Sequence, residues 1–356
     1  MKSPRISVVT PTYNGERFIA ETIRSILAQS CSDFELVVVD DGSTDRTAQV
    51  VESFDDPRIR LIRSEVNGGI AVATNRGYVA AKGEFIAQMD HDDIAVSTRL
   101  ATQVAFLDAH PDVDGCGGQS VNMSSSPGLD RFRHALKRPR AVMGPERVAC
   151  ETLFTGVLFN PTIMFRSRVL EGFGEPYDPA FRVSADKDFL ERSVARGVRW
   201  AILPDLLLRY RRHSSSASRR SNDLKLAEKT AVANRAVLRL VPDASEEELR
   251  LHALVANRDI ALDPRHARAV RAWFARLMEA NARTRRFPEP VMRTVLARNW
   301  LRACALIGSH DLRKGLSLYS SFPELATARF GLASFIYEWQ KRAIRRWKKR
   351  KKDKRK

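Results

Sequence analysis

The chain has 356 residues, of which 44% are hydrophobic and 29% are charged, as in an ordinary globular protein. Its formal net charge is +18, but residues 341–356 alone hold twelve Lys or Arg and one Asp, so the basicity belongs largely to one end. No run of about 18 apolar residues occurs, and we therefore expect no transmembrane helix. The four cysteines lack metal-ligand spacing and predict reduced thiols of a cytosolic protein.

The first 110 residues alternate apolar strands with helices. Strands are predicted at residues 6–9, 36–39, 59–62 and 85–89. Asn14 is the predicted cap of the first helix, and the third helix runs from about Gly69 to Ala81. Strands that are joined through helices pair in parallel. The sequence therefore predicts an α/β fold with a mostly parallel sheet flanked by helices, and a C-terminal helical extension over residues 222–320.

An acidic run, Asp90-His91-Asp92-Asp93, follows the fourth predicted strand. Side chains of a strand repeat on one face every second residue, so we expect Asp90 and Asp92 on one face and His91 and Asp93 on the other. Neighbouring carboxylates repel unless they are exposed, one is protonated, or they share a cation. Asp90 and Asp92 are thus candidate ligands for Mg²⁺ or Mn²⁺ carrying a diphosphate, with a solvated acidic loop as the alternative.

Three polar segments follow predicted strands and converge on one edge of the sheet. They are residues 11–14, residues 40–41 and the acidic run. Ligands of open parallel sheets bind in the crevice outside the carboxyl ends of the strands. No G-x-G-x-x-G or Walker A loop follows the first strand, so we expect a carboxylate-held metal to bind the phosphates in place of a glycine-rich loop.

The ordered set of motifs at residues 7–14, 38–45, 67–69 and 83–93 resembles the family 2 glycosyltransferases. The resemblance spans residues 5–216. It implies a nucleotide-diphospho-sugar-binding fold of the GT-A type and inverting chemistry.

The resemblance also implies roles for residues at the sheet edge. Pro11, Thr12 and Tyr13 would line the nucleoside pocket, and Asp40 would accept a hydrogen bond from the base. Of the acidic run, Asp90 would face the ribose and Asp92 the metal. A turn residue packed on the sheet is the alternative for Tyr13.

Residues 183–190 resemble the segment of the family that carries the catalytic base. Asp186 takes that role by position, although Ala185 stands where the family has a first acid, and Asp188 is the competing candidate. Read without the family, both aspartates are favourable at a helix N-terminus.

Residues 203–214 resemble the closing segment of the family. The resemblance implies that His213 donates to the departing diphosphate or binds the metal. We interpret Arg211 and Arg212 as parts of a solvated basic surface loop.

The last residues, 322–356, predict an amphipathic helix and a basic tail. Lys and Arg beside apolar residues favour docking on an anionic membrane surface over binding of nucleic acid. A solvated end is the third interpretation.

Together, these patterns predict a catalytic domain at 1–216, a helical region at 217–321 and the amphipathic helix with its tail at 322–356. The expected activity is that of an inverting hexosyltransferase. It would move sugar from a nucleotide-diphospho-sugar to a glycan or lipid-linked acceptor, in bacterial cell-surface polysaccharide or lipopolysaccharide biosynthesis. The expected location is cytoplasmic, peripheral on the inner face of the cytoplasmic membrane. A nucleotidyltransferase of the same α/β class and a non-catalytic adaptor that uses the basic tail are the alternatives.

Overall fold

The structure is a computed structural model that describes residues 3–123, 141–154, 157–213, 222–257, 264–307, 311–325 and 336. Contacts between Cα atoms divide the chain into two compact units. The first comprises Met1–Ala149 and Gly156–Glu228, and the second comprises Cys150–Thr155 and Lys229–Lys356. The predicted domain boundary at residue 216 and nearly all of the predicted basic tail lie outside the described residues, so the three-part division stays a prediction.

The strands of the first unit form one eight-stranded sheet. They are β1 (Ile6–Thr12), β2 (Phe34–Asp40), β3 (Ile59–Arg63), β4 (Phe85–Gln88), β5 (Ile94–Ala95), β6 (Gly115–Asn122), β7 (Met164–Arg166) and β8 (Trp200–Tyr210). Their order across the sheet is β3-β2-β1-β4-β7-β6-β8-β5. The first four strands pair in parallel, as do β6 and β8, whereas β7 runs antiparallel to β4 and β6, and β5 antiparallel to β8. The predicted mostly parallel sheet is confirmed.

Helices flank this sheet and make up the C-terminal part of the described chain. They are α1 (Ile19–Leu27), α2 (Thr47–Glu52), α3 (Ile70–Ala80), α4 (Arg99–Ala109), α5 (Pro145–Glu151), α6 (Ala185–Ala195), α7 (Asn222–Leu238), α8 (Glu246–Ala256), α9 (Ala267–Thr284), α10 (Glu289–Ile307) and α11 (Leu312–Ser320). Short 3₁₀ turns occupy Asn160–Thr162, Ser167–Leu170 and Pro264–His266. The predicted C-terminal helical extension is confirmed. Within the described part of the chain, no helix is both long and apolar enough to span a lipid bilayer.

The central strands β1 and β2 are buried on both faces. Val8 and Val38 belong to one hydrophobic cluster, whereas their chain neighbours Val9 and Val39 belong to the other. Successive side chains of a strand point to opposite faces, so two clusters mean a covered sheet. Gly77 of α3 lets that helix approach closely, since a Cβ there would lie 2.3 Å from Cγ1 of Val9.

Asn14 does not cap α1, contrary to the sequence prediction. The helix begins at Ile19, and Asn14 lies in the left-handed region with φ of 48°. Its side chain accepts a hydrogen bond from the N–H of Thr44 at 2.9 Å, and its own N–H donates to Oγ of Ser43 at 2.9 Å. Residues 13–16 and 41–46, which we call the loop pair, are therefore bound to each other after β1 and β2.

The second unit contains a buried histidine, His252. Nε1–H of Trp273 donates to its Nδ1 at 3.1 Å, so the ring proton is on Nε2, which lies 2.6 Å from the carbonyl oxygen of Leu153. Burial lowers the pKa of His252 to about 4. The ring is neutral at pH 7 and acts as a hydrogen-bonding core residue.

Candidate active site

The acidic run of residues 90–93 forms a turn at the carboxyl edge of the sheet. Strand β4 ends at Gln88, and the chain turns at His91 and Asp92. The carboxylates of Asp90, Asp92 and Asp93 each offer an oxygen, and these oxygens lie within 4.8 Å of one another. The prediction that Asp93 faces away from the other two is wrong, because alternation of faces holds only while the strand continues.

The three carboxyl groups perturb one another. Burial, and then repulsion from Asp92 and Asp186, raise the pKa of Asp90 to about 7. Asp93 is fully buried, and burial followed by the charge of Asp90 raises its pKa to about 9. Among the described residues, Oδ2 of Asp93 has no hydrogen-bond partner. Carboxyls this close are all ionised only if a cation compensates them.

Arg99, the first residue of α4, lies behind the acidic turn. Its side chain is only 1% exposed and donates to the carbonyl oxygen of Gln88 at 2.7 Å and to Oε1 of Gln103 at 3.1 Å. Burial lowers the pKa of Arg99 to about 10, which leaves the guanidinium charged at neutral pH, and it interacts electrostatically with Asp93 and Asp90. Sequence reasoning missed this residue, because an Arg at the start of an amphipathic helix is normally exposed.

His213 follows β8 and reaches the acidic turn. Its Nε2 lies 2.7 Å from Oδ2 of Asp92, and both side chains are mostly buried. The imidazole also packs on Phe18, with 4.7 Å between the ring centroids. The structure therefore brings together His213 and Asp92, which are 121 residues apart in the chain.

Arg211 contradicts its interpretation as a solvated surface residue. Its N–H donates to Oδ1 of Asp93, and its Nε donates to the carbonyl oxygen of Asp92, both at 2.8 Å. The guanidinium also pairs with Glu21 and lies 4.9 Å from the ring centroid of Phe18. The chain position of Arg211 gave no sign of these contacts, which all come from distant segments. Its neighbour Arg212 is exposed, as expected.

The residues expected near the nucleoside lie at the adjoining strand ends. Pro11 and Thr12 close β1, and Thr12 is in register with Asp40 at the end of β2. All three are buried, whereas Tyr13 is 42% exposed. The four side chains therefore share one corner of the carboxyl edge.

Asp41 has a structural role that the sequence did not reveal. Its two carboxylate oxygens accept hydrogen bonds from the N–H groups of Gly68 at 2.9 Å and Gly69 at 2.8 Å. Gly69 has φ of 89°, which a glycine adopts without strain, and α3 begins directly after it. Asp41 thus fixes the entry of α3 at the edge of the candidate site.

Asp186 and Asp188, the two candidates for the catalytic base, lie in the first turn of α6. Asp188 is fully buried and pairs with Arg192, whose Nε and terminal nitrogen lie 2.8 and 2.7 Å from its carboxylate. Asp186 is half-buried and lines a pocket with Asn160. The negative charge of Asp186 is one of the causes that raise the pKa of Asp90. The geometry leaves Asp186 as the available carboxylate.

A family model and proteins described as glycosyltransferases match this chain. Residues 7–173 match the family model described as Glycosyl transferase family 2. Over 227 residues the chain is 34% identical to the putative glycosyltransferase EpsE of Bacillus subtilis (strain 168), an alignment that covers 61% of this chain and 77% of EpsE. Over 239 residues it is 29% identical to the putative teichuronic acid biosynthesis glycosyltransferase TuaG of the same strain, covering 67% of this chain and 90% of TuaG.

A similar fold occurs in the crystal structure of S. aureus TarS 1-349 in complex with UDP. The TM-score is 0.54 at 22% identity, and the match covers 90% of each chain. The sheet, its flanking helices and these relatives define a glycosyltransferase with a GT-A type fold. The chain belongs to glycosyltransferase family 2, which has members in bacterial polysaccharide biosynthesis.

Proposed function

We propose that this glycosyltransferase moves a sugar from a nucleotide-diphospho-sugar to a hydroxyl of a glycan or lipid-linked acceptor with inversion at the anomeric carbon. The observation that carries the proposal is the acidic turn at the carboxyl edge of the sheet, which His213 contacts and on which the charge of Asp186 acts. His213 lies 2.7 Å from Asp92, and the charge of Asp186 acts on Asp90. A base, a diphosphate-side donor and a carboxylate cluster are the groups that such a displacement requires.

The acidic turn fits a hard divalent cation, which we assign as Mg²⁺ or Mn²⁺ held by Asp90 and Asp92. Asp90, Asp92 and Asp93 each offer a carboxylate oxygen within 4.8 Å of the other two, and Oδ2 of Asp93 has no hydrogen-bond partner in the described part of the chain. Such carboxylate oxygens are the donors that these ions prefer. When bound, the cation supplies positive charge that stabilises the departing diphosphate.

Asp186 is the base in the proposed reaction. It takes the proton of the acceptor hydroxyl while the hydroxyl oxygen bonds to the anomeric carbon, and the bond from that carbon to the diphosphate oxygen breaks. The diphosphate leaves with the electron pair from the opposite face, so one displacement inverts the carbon. Asp188 does not take this role because its carboxylate is buried against Arg192.

The remaining predicted residues bind the leaving nucleotide. His213 donates to the diphosphate as charge develops there. Pro11, Thr12 and Asp40 form the wall beside the nucleoside, and the exposed ring of Tyr13 offers a stacking face to the base.

The setting that we propose is bacterial cell-surface polysaccharide or lipopolysaccharide biosynthesis on the cytoplasmic side of the membrane. The name of TuaG, which refers to teichuronic acid biosynthesis, supports a role in cell-surface polysaccharide biosynthesis. The contact with an anionic membrane surface rests on residues 341–356, whose twelve cationic side chains lie outside the described residues.

Paired binding and turnover assays test the proposal. Asp186→Asn should bind UDP, which TarS binds in its crystal structure, as the wild type does, yet lose transfer by at least about 100-fold. Asp92→Ala should lose metal-dependent nucleotide binding in calorimetry. Glu175→Gln changes an exposed acid in the same region of the sequence and is the control.

The product identifies the reaction class. Metal-dependent release of nucleoside diphosphate from a panel of nucleotide-sugars is expected, whereas release of pyrophosphate would indicate nucleotidyl transfer. Wild-type transfer by both Asp186→Asn and Asp92→Ala would refute the assigned roles.

A further inference from the structure

Glu228 of α7 binds three consecutive backbone amides just before the helix that carries Asp186. Its Oε1 accepts from the N–H of Arg182 at 2.8 Å. Its Oε2 accepts from the N–H groups of Val183 at 3.0 Å and Ser184 at 2.7 Å. The glutamate is only 7% exposed. One buried carboxylate therefore holds the segment that leads into α6.

A buried carboxylate is costly unless it is compensated. Among the described residues, Glu228 makes no ion pair with a Lys, Arg or His, and the three amides are its hydrogen-bond donors. Successive N–H groups that converge on an anion provide such compensation, and the positive end of the α6 dipole adds to it. The position is thus built for a charged acceptor, and a neutral side chain of equal size would not satisfy it.

The start of α6 depends on the Glu228 carboxylate because the helix has no side-chain cap of its own. Ser184 is the N-cap residue, but its side chain makes no capping hydrogen bond, and its buried Oγ has no partner among the described residues. The carbonyl oxygen of Ser184 accepts from the N–H groups of Lys187 and Asp188. Asp186 therefore lies in the first turn of α6, directly after the segment that Glu228 binds.

We propose that Glu228 is a positioning residue for sugar transfer, holding the turn at residues 182–184 so that Asp186 faces the acceptor hydroxyl. The inference rests on the proposed role of Asp186 as the base. A carboxylate displaced by about 1 Å from its reacting partner costs on the order of 100-fold in rate. Nucleotide binding depends on other segments, namely the acidic turn and the loop pair, so the two effects are separable.

Two substitutions of Glu228 and one matched control test this role. Glu228→Gln places an NH₂ group against backbone N–H donors and loses at least one hydrogen bond, so kcat should fall about 10- to 100-fold while Kd for UDP with Mn²⁺ stays within about twofold. Glu228→Asp keeps the carboxylate and should retain more activity than Glu228→Gln, although Gln is closer in size. Asp223→Asn removes the same charge from an exposed position of α7 and should behave as the wild type.

Hydrogen exchange supplies a readout that does not depend on turnover. In Glu228→Gln, the amides of residues 182–184 should exchange faster, whereas those of β1 and β2 should be unchanged. Wild-type kcat in Glu228→Gln, equal or greater activity of Glu228→Gln over Glu228→Asp, or a parallel loss of kcat and UDP binding would each overturn the proposal.

The outcomes also separate this inference from the proposed function. If Asp186→Asn is inactive and Glu228→Gln is fully active, only the positioning role fails. If Asp186→Asn transfers sugar at the wild-type rate, the assignment of the base fails, whatever Glu228 does.

Discussion

Replacing Arg99 by Met should strongly destabilise the first unit. The guanidinium is 1% exposed, and it donates to the carbonyl oxygen of Gln88 and to Oε1 of Gln103. It also interacts electrostatically with Asp90 and Asp93. Met has similar length and fills most of the same space, so the loss is electrostatic and leaves little cavity.

The magnitude follows from two considerations that describe the same contacts. A hydrogen bond to a charged group contributes about 1.5–3 kcal/mol, and Arg99 makes two to buried acceptors, at 2.7 and 3.1 Å. Removing one partner from a buried charge network costs about 3–5 kcal/mol. We therefore expect a loss of about 3–5 kcal/mol in the free energy of unfolding, a large part of the 5–15 kcal/mol typical of a folded protein.

Urea unfolding followed by circular dichroism measures this change. Arg46→Met is the matched control, because the Arg46 side chain is 84% exposed and its replacement should change stability by less than about 0.5 kcal/mol. A loss below about 1 kcal/mol for Arg99→Met would show that the acidic turn does not depend on the buried guanidinium, and the reasoning would be refuted.

Three further outcomes are expected. Gly77→Ala should cost about 1–3 kcal/mol in urea unfolding, since the new Cβ would lie 2.3 Å from Cγ1 of Val9, and an unchanged midpoint would contradict the close packing of α3 on β1. His252 has a folded pKa of about 4, below its usual value of 6.5. The unfolded chain therefore binds this proton first, and stability should fall by about 3 kcal/mol as the pH drops from about 6.5 through about 4. His252→Gln should remove that part of the pH dependence of the melting temperature. If the variant and the wild type show the same pH dependence, other groups are responsible for it. Removal of divalent ions by EDTA should abolish release of nucleoside diphosphate, and added Mn²⁺ should restore it; activity that persists in EDTA would exclude the proposed metal role of Asp90 and Asp92.

The alternation of strands and helices was predictable because its signals are local. Continuous apolar runs mark strands that are buried on both faces, and the strand ends gather polar residues at one edge. The clustering of Asp40, Asp90 and Asp92 near this edge could therefore be foreseen from their positions at the end of β2 and after β4.

The supporting contacts of the site could not be foreseen, because they join distant segments. Arg211 and Asp93 are 118 residues apart, and Glu228 binds amides 44 to 46 residues away. The hydrophobic periodicity of a short sequence window does not indicate such pairs. The errors at Asn14 and Asp93 have a different cause, since each assumed regular backbone where the chain turns.

The loop pair has a consequence for redesign of the proposed nucleoside pocket. Asn14 and Thr44 are 30 residues apart, yet each segment supplies hydrogen bonds that the other needs. The backbone next to Tyr13 and Asp40 is thus held in place by hydrogen bonds between the two segments. Exchanging one loop for that of a relative would strip the other of its partners, so a chimaera with altered base selectivity must transplant both stretches together.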